Sequence, residues 1–106
     1  MTALDDSVRA ELRRGIMRRG GELATLLAEV LAGKQPPALA ALLARKPGKR
    51  PEEVLRTALD QIEARRVLLD ARDDRFGRCD VCGAELGLPA LREMPWADRC
   101  VAHAAQ

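Results

Sequence analysis

The chain's three cysteines and its single histidine stand at positions 79, 82, 100 and 103 of 106 residues. They form two matching pairs, Cys79-Asp80-Val81-Cys82 and, after seventeen intervening residues, Cys100-Val101-Ala102-His103. A C-x2-C-x17-C-x2-H pattern supplies four donors in two pairs, the tetrahedral set that structural Zn²⁺ takes. Gly83, directly after the second cysteine, permits the tight turn in which backbone amides point at sulfur. Three thiolates and an imidazole leave no coordination position for water, so the expected ion is one structural zinc. Acid attacks the histidine first, because an ordinary imidazole takes up its proton near pH ~6.5 and must be neutral to bind. The other reading of these four residues is buried thiols beside an unrelated histidine.

The rest of the sequence has no phosphate-binding loop and no second histidine to serve as acid or base, so no enzyme is expected. Three cysteines cannot all pair as disulfides, and no segment has the form of an export signal. The longest apolar run, ALAALLA at 38–44, is far short of the roughly 20 residues that a membrane span needs. The expected setting is the reducing cytoplasm, away from membranes.

These ligands need elements to carry them. Phe76 and Trp96 are the only aromatic residues, and Leu, Ala, Arg, Glu and Asp dominate. Such side chains lose little entropy in helices, so the expected fold is mostly α. Thr2 with Asp5 reads as a capping pair for a first helix. Apolar residues follow at Leu4, Val8, Leu12, Ile16, Leu23, Leu26, Leu27 and Val30. Gly20-Gly21 is its weak point, where a kink or local fraying is expected, and Gly33 with Pro36-Pro37 marks its end. Pro51-Glu52-Glu53 opens a second helix, in which Leu55, Ile62, Leu69 and Phe76 recur every seven residues. Two such helices predict an antiparallel hairpin over residues 1–76, of coiled-coil type, followed by a small zinc finger at 77–106. A compact bundle is the alternative, and the exposed parts of the stripes allow either a monomer or a weak homodimer. Phe76 is expected to pack where helix meets finger and Trp96 to join the finger's small core. Asp73 and Asp74 read as solvated charges.

The net charge of +2 is unevenly spread. Residues 34–50 hold Lys34, Arg45, Lys46, Lys49 and Arg50 with no acidic residue among them, while the flanking regions are neutral or acidic. This segment is the tip of the predicted hairpin, with a short helix in ALAALLARK, and its five cations are the candidate contacts to a partner. Arg9, Arg13, Arg14, Arg18 and Arg19 also cluster. With Asp5, Asp6, Glu11 and Glu22 nearby, they read as an ion-paired, solvated face.

The stretch FGRCDVCGAELGL, continuing through Leu91 to MPWADRC, resembles the zinc finger of the DksA/TraR family of bacterial transcription regulators. Phe76-Gly77, Cys79, Cys82-Gly83, Glu85, Gly87, Leu91, Pro95, Ala97-Asp98 and Cys100 carry the resemblance, which covers residues 75–103. It implies a coiled coil ahead of the finger that enters the secondary channel of RNA polymerase, without any reaction catalysed by the regulator. His103 stands where the family has a fourth cysteine, and Ala90 where it usually has arginine. The family's helix beyond the finger has no counterpart here. The family's acidic tip motif, Asp-x-x-Asp-x-Ala, is absent as well, since no Asp or Glu lies between Val30 and Pro51. Asp60 would sit roughly 13 Å back along the second helix. The resemblance therefore implies a polymerase-binding regulator whose action does not depend strongly on the alarmone ppGpp. A nucleic-acid-binding zinc module with a phosphate-seeking tip, or an adaptor for another protein, are the alternatives.

Overall fold

The computed structural model describes residues 4–104. It holds four α-helices, α1 (Asp6–Leu31), α2 (Leu39–Ala44), α3 (Pro51–Asp70) and α4 (Leu88–Glu93), with a 3₁₀ turn at Val101–His103. Among the described residues extended pairing is limited to one isolated bridge, between Arg78 and Glu85.

Helix α1 is capped by Asp5, whose carboxylate accepts the Val8 N–H at 2.8 Å. The other half of the expected capping pair, Thr2, lies outside the described residues. Helix α1 does not fray at Gly20-Gly21 but runs through both glycines unbroken. A side chain at Gly20 would bring its Cβ within 3.3 Å of Ile62 Cγ2, so the missing methyl lets α3 approach closely. The helix stops as expected at Gly33, which takes a φ of +85°. There Gly33 N–H donates to Val30 O at 3.0 Å and Lys34 N–H to Glu29 O at 2.9 Å, satisfying the last carbonyls.

Helix α3 begins at Pro51 with Glu52 and Glu53 in its first turn, but it ends at Asp70, short of Phe76. Its terminus uses the same paired bonds without a glycine. Arg72 adopts a φ of 55°, with Arg72 N–H on Leu69 O at 3.2 Å and Asp73 N–H on Leu68 O at 3.0 Å. Asp73 is not a loose solvated charge. It accepts the Arg75 N–H at 2.9 Å and grips the Arg75 guanidinium, folding the chain back. Phe76 is thus buried from a turn and not as a fourth heptad residue of a helix.

The two long helices lie antiparallel. At their adjoining ends Arg72 pairs with Asp6 at 2.7 Å, Arg13 with Asp70 at 3.0 Å, and Arg9 donates to Leu69 O at 3.1 Å. Between them Leu12, Ile16 and Leu23 meet Leu55, Ile62 and Leu69, and Leu39 of α2 closes the far end. Each fully buried leucine is worth roughly 1.5–3 kcal/mol, so this seam is the main source of stability.

Residues 77–104 fold back along the flank of this pair, where Leu91 enters the same core and is completely buried. Pro95 lies so close to α1 that a Cβ at Gly15 would come within 2.7 Å of its Cγ. Arg92 pairs with Glu11 at 3.1 Å, Gln61 donates to Trp96 O at 3.1 Å, and the Arg19 guanidinium stacks 5.3 Å above the Trp96 ring. Among the described residues no helix is long and apolar enough to cross a membrane.

Candidate metal centre

The first ligand pair is shaped by backbone bonds. Gly83 takes a φ of +75°, and its N–H donates to Cys79 O at 2.9 Å. Cys79 N–H donates to Ala84 O at 2.9 Å and Leu86 N–H to Gly77 O at 2.9 Å, so the loop closes on itself. Inside it the Val81 N–H points at the Cys79 sulfur from 3.4 Å. The second pair sits at a 3₁₀ turn in which His103 N–H donates to Cys100 O at 3.0 Å. One backbone bond, Asp80 N–H to Asp98 O at 2.8 Å, ties the two halves together.

This folding brings all four expected ligands to one place. Cys82 Sγ lies 3.8 Å from Cys100 Sγ, while His103 Nδ1 lies 3.2 Å from Cys100 Sγ and 3.7 Å from Cys79 Sγ. All four donor atoms fall within 4.8 Å of one another. A tetrahedral ion with metal–sulfur bonds of about 2.3 Å and metal–nitrogen bonds of about 2.0–2.1 Å needs edges of roughly 3.8 and 3.6 Å. The 3.8 Å sulfur–sulfur and 3.7 Å sulfur–nitrogen separations already match these edges, and the 3.2 Å contact between His103 Nδ1 and Cys100 Sγ would open slightly. The cysteines are free thiols, and 3.8 Å is far beyond the ~2.05 Å of a disulfide. The four residues could hold a metal ion.

The thiols differ in their readiness to ionise. Burial pushes the Cys79 thiol up, but amide hydrogens from Cys100, Cys82 and Val81 outweigh it and hold the group down at about 6. At Cys82 the Ala84 amide pulls downward, yet lost solvation and the neighbouring Cys100 and Cys79 sulfurs push the thiol up. Backbone amides aimed at sulfur thus favour a thiolate at the inner ligand, as metal binding requires.

One residue of the site escaped the sequence reading. Arg65 of α3 is only 4% exposed, and its Nη2 donates to the Asp80 carboxylate at 2.5 Å. Arg99 reaches the other oxygen of Asp80 at 3.3 Å. The signal was present, because Arg65 falls three residues after Ile62 and four before Leu69. That is a core position of the heptad, and a charge there needs a partner.

The five tip cations are not one free positive surface. Lys49 pairs with Glu53 at 3.4 Å and Arg50 with Glu52 at 3.7 Å, both in the first turn of α3. Lys34, Arg45 and Lys46 are exposed. Within the arginine cluster, Arg13 and Arg19 have carboxylate partners, Asp70 and Glu22, and Arg9 binds backbone carbonyls at Leu4 and Leu69. In comparisons with known proteins, no family model matches the chain, and no curated protein or solved structure is detectably similar to it.

Proposed function

We propose that the Cys79, Cys82, Cys100 and His103 cluster binds one structural Zn²⁺ and completes a zinc finger on the flank of a helical hairpin. The observation that carries this is the convergence of three sulfurs and one imidazole nitrogen within 4.8 Å. Three soft thiolates with one imidazole favour zinc over magnesium or calcium, which take oxygen donors. A closed donor set suits a structural ion that stabilises a segment with little core of its own.

On that base the protein is a non-enzymatic cytoplasmic regulator that binds RNA polymerase. The resemblance of residues 75–103 to the DksA/TraR finger supports this reading. So does an antiparallel pair of helices whose turn, residues 34–50, is far along the chain from the ligands. The turn carries no carboxylate between Val30 and Pro51, so it cannot present acidic groups to a catalytic magnesium ion. Regulation is therefore of an altered kind, without strong ppGpp-dependent inhibition.

A second reading has its own observation. Lys34, Arg45 and Lys46 are exposed, and a phosphate backbone would attract them. Exchange of Lys34, Arg45 and Lys46 for Gln separates the two. A polymerase binder keeps its affinity for the core enzyme in co-purification and changes its effect on transcription. A nucleic-acid binder shows salt-dependent affinity for DNA or RNA alone, and the exchange flattens that dependence by up to about three units of logarithmic slope. Binding to neither polymerase nor nucleic acid would leave the adaptor reading.

A further inference from the structure

Arg65 is a cation at a core position of α3, and its carboxylate partner comes from the metal-binding loop and not from either long helix. We propose that Asp80 and Arg65 form a latch through which metal binding clamps residues 77–104 against the helical pair. The proposal rests on the metal reading above and adds positioning residues and a coupling to it.

The argument begins with desolvation. Arg65 is 96% buried, and its Nη1 is enclosed without a hydrogen-bond partner. A guanidinium in that state is strongly disfavoured unless a carboxylate faces it in good geometry. Asp80 provides one, holding Arg65 with one oxygen and Arg99 with the other. The Arg99 Nε is likewise enclosed and unpartnered, and although Arg99 also pairs with Asp98 at 3.7 Å, both guanidiniums converge on the Asp80 carboxylate. Such a pair gains little from docking in itself. It becomes favourable when Asp80 is already held in place, because no ordering cost then remains.

What holds Asp80 is the ligand loop. It lies directly between Cys79 and Val81, whose N–H points at the Cys79 sulfur, and its own N–H is bound to Asp98 O two residues before Cys100. An ion joining Cys79 and Cys82 to Cys100 and His103 fixes both strands of that small frame. Loading the metal thereby sets the carboxylate against α3. Around the latch, Pro95 in the niche at Gly15, Gln61 on Trp96 O and Arg19 on the Trp96 ring complete the docked face. By linkage, whatever factor metal adds to docking, docking adds to metal affinity. Asp80 and Arg65 touch no ion; they act through position.

The test uses the whole chain with Co²⁺ as a coloured stand-in for zinc. Trp96, the only tryptophan, reports docking through its emission. In the wild type, one Co²⁺ per chain is expected to give tetrahedral thiolate bands and a Trp96 change that saturates at the same stoichiometry. Asp80→Asn should keep the bands, since its ligands are unchanged, but bind roughly tenfold more weakly and lose most of the Trp96 response. Arg65→Met, which removes the buried charge, should raise the melting temperature of the metal-free helices while also uncoupling Trp96 from the metal. In that background Asp80→Asn should add little. Wild-type affinity and Trp96 response in Asp80→Asn, or independent effects of the two substitutions, overturn the latch. Metal binding in the wild type without any Trp96 change overturns the latch alone. Failure of the wild type to bind Co²⁺ or Zn²⁺ overturns the metal reading as well.

Discussion

At one end of the helical pair, residues 34–50 turn the chain with a short helix and one buried side chain, Leu39. Along its flank, residues 77–104 hold a similar share of regular structure, α4 and the 3₁₀ turn, and yet bury Gly77, Cys79, Leu91 and Pro95. The turn is built from local bonds: a glycine terminus after α1, a six-residue helix and a proline start for α3. Its cations face water or pair with glutamates in the first turn of α3. The C-terminal segment is held by groups distant in sequence: four ligands in two pairs, Asp80 on Arg65, and Pro95 on Gly15. Local bonds close short loops and cost little chain entropy. Distant ones must overcome chain entropy, and a metal ion or a matched buried pair is how a short segment does so. The difference predicts that the two regions respond to different insults.

Metal loss is the largest of these. Cys82→Ser should abolish tight metal binding, which in such modules contributes on the order of 10 kcal/mol of apparent free energy. Residues 77–104 should then undock, seen as solvent-exposed Trp96 emission. Far-UV circular dichroism should still report α1 and α3, because their shared leucine seam needs no ligand. Lys46→Gln, at the turn, should leave both signals unchanged. Collapse of helicity together with the Trp96 change would show that the regions are one cooperative unit.

A smaller effect separates the glycines of α1. At Gly15 an added methyl would meet Pro95 Cγ at 2.7 Å, while at Gly21 nothing lies within 4 Å. Gly21→Ala should therefore stabilise the protein by roughly 0.5–1 kcal/mol, the usual helix gain. Gly15→Ala receives the same gain but must displace a buried proline ring, an overpacking cost of roughly 1–3 kcal/mol. Urea midpoints should move in opposite directions, and only Gly15→Ala should change Trp96 emission. Equal shifts at both glycines would mean that Pro95 is not firmly seated on α1.

Much of this arrangement was legible in the chain, and the parts that were not have a common cause. The ligand spacing named all four donors that the fold brings together. The seven-residue repeat named Leu55, Ile62, Leu69 and Phe76, all of them buried. Periodicity could not show that α3 stops at Asp70, because the stop is made by Arg72 in a left-handed conformation that usually signals itself with glycine. Nor could it show that Gly15 is a seat for Pro95, eighty residues away. Local pattern carries local bonds and ligand chemistry. Contacts that depend on how one segment lies across another carry no spacing, and Arg65 left only the clue of a charge in an apolar stripe.

The smallest effect concerns acid, and it again divides the molecule. Hydrogen bonds from the Arg75 side chain hold the Asp73 carboxyl down at about 2, against an ordinary 3.8. In the same direction, hydrogen bonds from Arg72 lower Asp6, those from Arg13 lower Asp70, and those from Arg66 lower Glu63. A carboxylate whose folded value is depressed adds stability that is complete above the unfolded value. That stability is lost as pH falls through the folded one. The window here opens below pH 4.5 for Glu63 and below 3.8 for the aspartates, and extends to about 2 for Asp73. Asp6, Glu63 and Asp70 are solvent-exposed and Asp73 is only half-buried, so each contribution is modest and weakened further by salt. Asp6, Asp70 and Asp73 sit at the joined ends of α1 and α3, and Glu63 lies two turns back along α3. None lies in the turn at 34–50. Amide hydrogen exchange on metal-free protein should show the joined ends losing protection between pH 4 and 2, with the α2 region changing less. High salt should shift the two regions toward the same behaviour. Uniform loss of protection along both helices would instead mean that these exposed pairs hold nothing locally and that acid acts on the shared core.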